Sequence, residues 1–155
     1  MHANVPRSFF IESQRLRLHV AEWGEPSAPT LILVHGGRDH GRSWDPVAKE
    51  LSSTWRVLVP DLRGHGDSAW SADGHYSISA CVIDLAALVD QCISGRCSLV
   101  GHSLGGNIAL RYSAAYPERV ASVVSIEGLG YSPKLQAERA ALGAKRRLRE
   151  WVDAR

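Results

Sequence analysis

The chain has 155 residues, 45% of them hydrophobic and 22% charged, which suits one modest globular domain and excludes disorder, a fibre or two ordinary domains. Its net charge of +2 is too weak a field to point to nucleic acid, and no apolar run approaches the ~18–20 residues of a membrane span. Three cysteines, Cys81, Cys92 and Cys97, are sparse and odd in number, and no signal-type apolar stretch follows Met1, so we expect reduced thiols and a cytoplasmic protein.

Residues 8–23 alternate as a strand pair, with Phe9-Phe10-Ile11, then Glu12-Ser13-Gln14, then Leu16, Leu18 and Val20 at period two. A Gly/Pro turn over 23–29 leads into Thr30–Val34, a continuous apolar run of the kind buried on both faces of a parallel sheet. After the loop 35–42, Ser43 is expected to cap a short helix that places Trp44, Val47, Ala48 and Leu51 on one face. Arg56–Pro60 is a second buried strand, and the polar, glycine-rich stretch Asp61–Ser68 leaves it. Ser77 caps a helix whose apolar positions are Ile78, Val82, Leu85, Val89 and Cys92. Cys97–Val100 is the third strand, a helix runs from Asn107 to about Tyr116, and Val120–Ile126 is the fourth buried strand. Strands alternating with helices imply βαβ units and an α/β fold with a mainly parallel sheet. Residues 134–155 differ: seven Lys/Arg against three acids make this stretch +4 and leave the first 133 residues at −2. Leu135, Leu142, Leu148, Trp151 and Val152 give it a partial helical face, so Lys145-Arg146-Arg147-Leu148-Arg149 is expected to be a solvated helix face.

Gly101-x-Ser103-x-Gly105 lies between a strand and a helix, where a nucleophile elbow is required to be. A sharp strand-to-helix turn holds such a serine in a strained conformation, so bulk on either side would clash. The turn also leaves the Leu104 N–H at a helix N-terminus, where it can stabilise an oxyanion. His35-Gly36-Gly37 follows the first buried strand, the position expected for the second oxyanion donor. Gly37 N–H is the first choice, with Gly36 and Arg38 next to it.

With His35-Gly36-Gly37, Asp61-Leu62-Arg63-Gly64-His65-Gly66-Asp67-Ser68 and Gly101-His102-Ser103-Leu104-Gly105-Gly106-Asn107 in register, residues 8–129 resemble the α/β-hydrolase superfamily. The resemblance implies a twisted sheet opening with an antiparallel hairpin and truncated before its last strands. It assigns 1–129 to the hydrolase core and 130–155 to the start of a helical cap. It implies a small acyl substrate and no cofactor. Superfamily epoxide hydrolases and haloalkane dehalogenases use an aspartate nucleophile, so Ser103 points away from both.

A serine needs a base within hydrogen-bond reach and an acid to orient that base, in the chain order Ser, acid, His. Glu127, at the end of the fourth strand, is the well-placed acid. It stands as triad acid, as a pocket residue or as a structural residue. None of the seven histidines follows Ser103. The His102 side chain is expected to point away from Ser103, and His35 and His65 are expected to buttress loops. The histidine spacings match no zinc pattern, so no metal is expected. Two readings follow: a serine hydrolase acting on a carboxylic ester or related acyl substrate, or an inactive fragment or binding module on a hydrolase scaffold. The fourth strand is left as an open edge, so self-association is expected.

Overall fold

The computed structural model describes residues 5–130 and 132–141. Strands β1 (Arg7–Ser13) and β2 (Leu16–Trp23) form an antiparallel hairpin. Its two-residue turn puts Gln14 and Arg15 at φ 48° and 66°, the left-handed pair whose twist matches that of the flanking strands. β2 then pairs antiparallel with β4 (Arg56–Pro60). From β4 the sheet continues in parallel through β3 (Thr30–Val34), β5 (Cys97–His102) and β6 (Val120–Ile126), giving the order β1-β2-β4-β3-β5-β6.

The period-two alternation of the strands sorts the core into two layers. Val20, Ile32, Val34, Leu58 and Leu99 pack with helices α2 (Ile78–Cys92) and α3 (Leu104–Ala115) on one face. Ala21, Trp23, Leu31, Leu33, Val57 and Val59 pack with α1 (Asp45–Leu51) on the other. β3 is buried at all five positions because both layers meet on it. Ser77 caps α2, its hydroxyl accepting the Ala80 N–H at 3.2 Å.

Four expectations are corrected. Ser43 does not cap α1: a 3-10 turn over Gly41–Trp44 comes first, Trp44 takes the cap position without a side-chain bond, and the Ser43 hydroxyl turns to Asp39 and the His40 carbonyl. Val47, expected on the packed face of this helix, is exposed. α3 begins at Leu104, directly after the turn serine, rather than at Asn107, and β5 extends to His102 rather than ending at Val100. β6 is not a buried strand. Val123 packs against the α2–α3 layer, but Val124 is 52% and Ile126 43% exposed, because β6 is the last strand of the described sheet and α1 lies over β3 and β4.

The two sheet edges are guarded differently. On β1, Gln91 of α2 occupies both backbone groups of Glu12, and Arg7 and Glu12 add charge. β6, VASVVSI, carries no charge and no proline, the devices that blunt an edge. We therefore propose that β6 pairs with β6 of a second copy. Sedimentation velocity is expected to show a concentration-dependent dimer or larger species, shifted toward monomer by Val124→Lys. A monodisperse monomer at every concentration overturns this. α4 (Pro133–Ala141) follows; the basic run at 145–149 and Leu142, Leu148, Trp151 and Val152 lie outside the described residues.

Candidate active site

Ser103 sits between β5 and α3 at φ 51°, ψ −113°, outside the regions open to residues with a side chain. Such strain costs about 1–3 kcal/mol and persists only where the surroundings over-determine it. Here the Ser103 N–H donates to the Ile126 carbonyl (2.8 Å) and the Ser103 carbonyl accepts the Asn107 N–H (3.1 Å), tying the turn to the end of β6 and to the first turn of α3. The flanking glycines answer to close backbone approach. A β-carbon on Gly101 would stand 2.3 Å from the Gly105 carbonyl oxygen, and one on Gly105 would stand 2.3 Å from that of Val34.

The Ser103 side chain is exposed. Leu104, the first residue of α3, carries an N–H that precedes the first intrahelical bond and faces out of the helix end. The 36–38 loop lies against the elbow. A β-carbon on Gly36 would be 3.0 Å from His102 Nδ1 and 3.5 Å from Ser103 Cβ, and one on Gly37 would be 3.7 Å from Leu104 Cδ2. Gly36 is buried and its carbonyl is turned to His35, whereas Gly37 is exposed beside Leu104. The structure thus brings Ser103, Leu104, Gly36 and Gly37 to one place.

Glu127 follows β6 at φ 53°. Its side chain is 83% exposed, and its carboxylate lies 4.0 Å from His102 Nε2. Among the described residues no hydrogen bond joins His102 or any other histidine to the Ser103 hydroxyl. A groove of about 230 Å³ opens beside His102 between α1 and β6, lined by Asp39, Ser43, Trp44, Val47 and Ile126. The Ser43 hydroxyl and the His40 N–H, opposed by partial burial, hold the Asp39 carboxyl below the usual range.

The loop leaving β4 supports this site from below. Burial would raise the Asp61 carboxyl, but the Gly41 and Asp67 N–H groups and His19 outweigh it and hold it below the ordinary value. Asp61, His19 and Asp67 place ligand-type atoms within 4.8 Å of one another. The two Asp61 oxygens already accept from Gly41 N–H (2.6 Å), Asp67 N–H (3.0 Å) and His19 Nδ1 (2.8 Å), so the cluster is a loop anchor. The same loop holds a group that the sequence reading passed over. Arg63, 2% exposed, makes a two-point ion pair with the buried Asp84 (2.7 and 2.8 Å). An aspartate among Cys81, Leu85 and Leu88 on the core face of α2 was the available signal, since a buried carboxylate requires a partner.

Comparison with known proteins fits this geometry. The sequence profile of a family described as the alpha/beta hydrolase fold matches residues 29–154. The chain belongs to that family. It is 42% identical over 111 residues to lipase LipV of Mycobacterium tuberculosis (strain ATCC 25618 / H37Rv), covering 71% of this chain and 41% of LipV. It is 33% identical over 119 residues to epoxide hydrolase 4 of Mus musculus, covering 75% of this chain and 33% of that protein. The crystal structure of a bacterial membrane phospholipase A superimposes with a TM-score of 0.79 at 29% identity, covering 84% of this chain and 42% of that one. This α/β-hydrolase chain therefore spans well under half the length of these relatives. Among its described residues no helix is long and apolar enough to cross a membrane.

Proposed function

We propose that this chain carries the nucleophile and oxyanion hole of a serine hydrolase acting on a small carboxylic ester or related acyl substrate. The observation that carries this reading is Ser103, held at φ 51° with its side chain exposed beside the Leu104 and Gly37 N–H groups. The relatives named lipase and esterase support it, and a serine at the elbow favours acyl transfer over the epoxide hydrolases' chemistry.

In this mechanism Ser103 Oγ forms a bond to the acyl carbon while its proton passes to a base. The carbonyl π pair moves onto oxygen, and Leu104 and Gly37 N–H groups receive that negative charge. Collapse expels the alcohol, which takes the proton back, and water releases the acid by the same steps in reverse. Glu127 orients the base, a histidine contributed by polypeptide outside these 155 residues. Residues 1–129 form the hydrolase core and 130–155 begin the cap. The sparse, odd set of cysteines, Cys81, Cys92 and Cys97, favours a cytoplasmic setting.

The second reading, an inactive scaffold or binding module, is favoured by the open Glu127 carboxylate and by the absence of a histidine on Ser103 among the described residues. A fluorophosphonate probe with mass spectrometry separates the two. Labelling at Ser103 that disappears in Ser103→Ala, in polypeptide that includes the histidine, is the expected result. No labelling of folded, monodisperse protein rejects the enzyme reading for this chain.

A further inference from the structure

The loop that carries Gly37 is fixed from outside itself. Arg38 sits at φ 64°, a left-handed conformation unfavourable for a residue with a side chain. Two imidazoles hold it there. Buried His35 accepts the Leu62 N–H at Nε2 (2.9 Å), and its Nδ1 lies 2.7 Å from the Gly36 carbonyl oxygen. Half-buried His65 accepts the Arg38 N–H at Nε2 (3.2 Å), and its Nδ1 lies 3.0 Å from the Arg63 carbonyl oxygen. A ring nitrogen that accepts an N–H carries no proton, and one that faces a carbonyl carries one. Both rings are therefore neutral Nδ1–H tautomers. They lie against each other with centroids 5.2 Å apart. Each loop's histidine thus holds a backbone N–H of the other loop, so the two bonds cross between residues 35–38 and 61–65 in opposite directions.

We propose that His35 and His65 are positioning residues that lock the 36–38 loop in place only while both are neutral, and that a proton on His65 releases it. The consequence for catalysis rests on Gly37 N–H being an oxyanion donor; the lock itself does not. A proton on His65 Nε2 turns the acceptor of the Arg38 N–H into a second donor, and that bond is lost. The groups facing His35 are Asp61 from the end of β4 and Asp39 from the loop before α1, which favour charge, and His65, which opposes it. The Arg63 guanidinium is turned away into Asp84.

Burial holds the His35 pKa below its ordinary value of 6.5, partly offset by the bond to the Gly36 carbonyl. As pH falls, the unfolded chain takes up that proton before the folded one. The contribution of neutral His35 to stability is complete above 6.5 and is lost as pH drops from there through the folded-state value.

The test uses the full chain with ¹⁵N-labelled histidine. Long-range ¹H–¹⁵N spectra near neutral pH are expected to show the Nδ1–H tautomer on both rings. Amide exchange at Arg38, corrected for intrinsic rate, is expected to accelerate about tenfold between about pH 8 and about pH 5 as one hydrogen bond is lost. His65→Gln keeps an acceptor that does not titrate, so protection should persist and become flat with pH, whereas His65→Ala should lose it throughout. An Nε2–H tautomer on either ring, Arg38 protection unchanged while His65 titrates, or His65→Gln following the wild-type curve each overturns the lock. Fluorophosphonate labelling of Ser103 should fall with Arg38 protection; labelling that ignores it removes the role in positioning. No labelling at any pH, with the tautomers and Arg38 protection as expected, defeats the hydrolase reading and leaves the lock standing.

Discussion

Gly105→Ala is expected to unfold most of the protein in urea concentrations that leave the wild type native, a loss of about 3 kcal/mol or more from a total of ~5–15 kcal/mol. The added methyl would stand 2.3 Å from the Val34 carbonyl oxygen and 2.5 Å from that of His35. Those atoms are backbone, at the end of the central strand β3 and the start of the 36–38 loop, so neither a rotamer change nor a side-chain shift relieves the clash. Relief requires α3 to move off β3, which pulls the Leu104 N–H away from Gly37. Gly95→Ala is the control, because a methyl there meets nothing within 4 Å, and it should stay within about 0.5 kcal/mol of wild type. Equal urea midpoints for the two variants would reject the account of the elbow.

The strand-to-helix turn at Ser103 and the parallel strands were legible because each rests on a local rule: a continuous apolar run for β3 and β4, and glycine spacing around Ser103. The errors came where one element depends on what surrounds it. The apolar string of β6 is the same whether a neighbour covers it or not, so Val124 and Ile126 looked buried. Ser43 had the chemistry of a cap, but Asp39 competed for its hydroxyl. The His35–His65 cross-bonding is further out of reach, since it joins residues 30 positions apart through ring nitrogens whose roles only the opposite backbone decides. Glu127 follows β6, as the sequence suggests, yet its exposure depends on what covers the carboxyl end of β6.

Arg63→Met is expected to cost about 3–5 kcal/mol, because it leaves the Asp84 carboxylate buried without its cation. Both partners are almost fully buried, at 2% and 5% exposure, so solvent offers little relief. Among the described residues, Asp84 retains only the Gln14 side-chain amide at 3.0 Å, a neutral donor. The double variant Arg63→Met/Asp84→Leu removes both charges and should recover most of the loss in urea unfolding, since a buried pair and a packed apolar pair are of similar worth. A double variant no more stable than the single one would show that packing around the guanidinium, not the stranded charge, dominates. The single variant should also reach the candidate site. Arg63 fixes the 61–65 loop by donating to the His75 carbonyl (2.7 Å) and to Asp84, and the Arg63 carbonyl is the acceptor that sets the His65 tautomer. Loosening it should raise Arg38 amide exchange at neutral pH, where the lock would otherwise be closed. The ion pair thus acts on the 36–38 loop through backbone position, and the pH response of Arg38 should shrink as its neutral-pH protection falls.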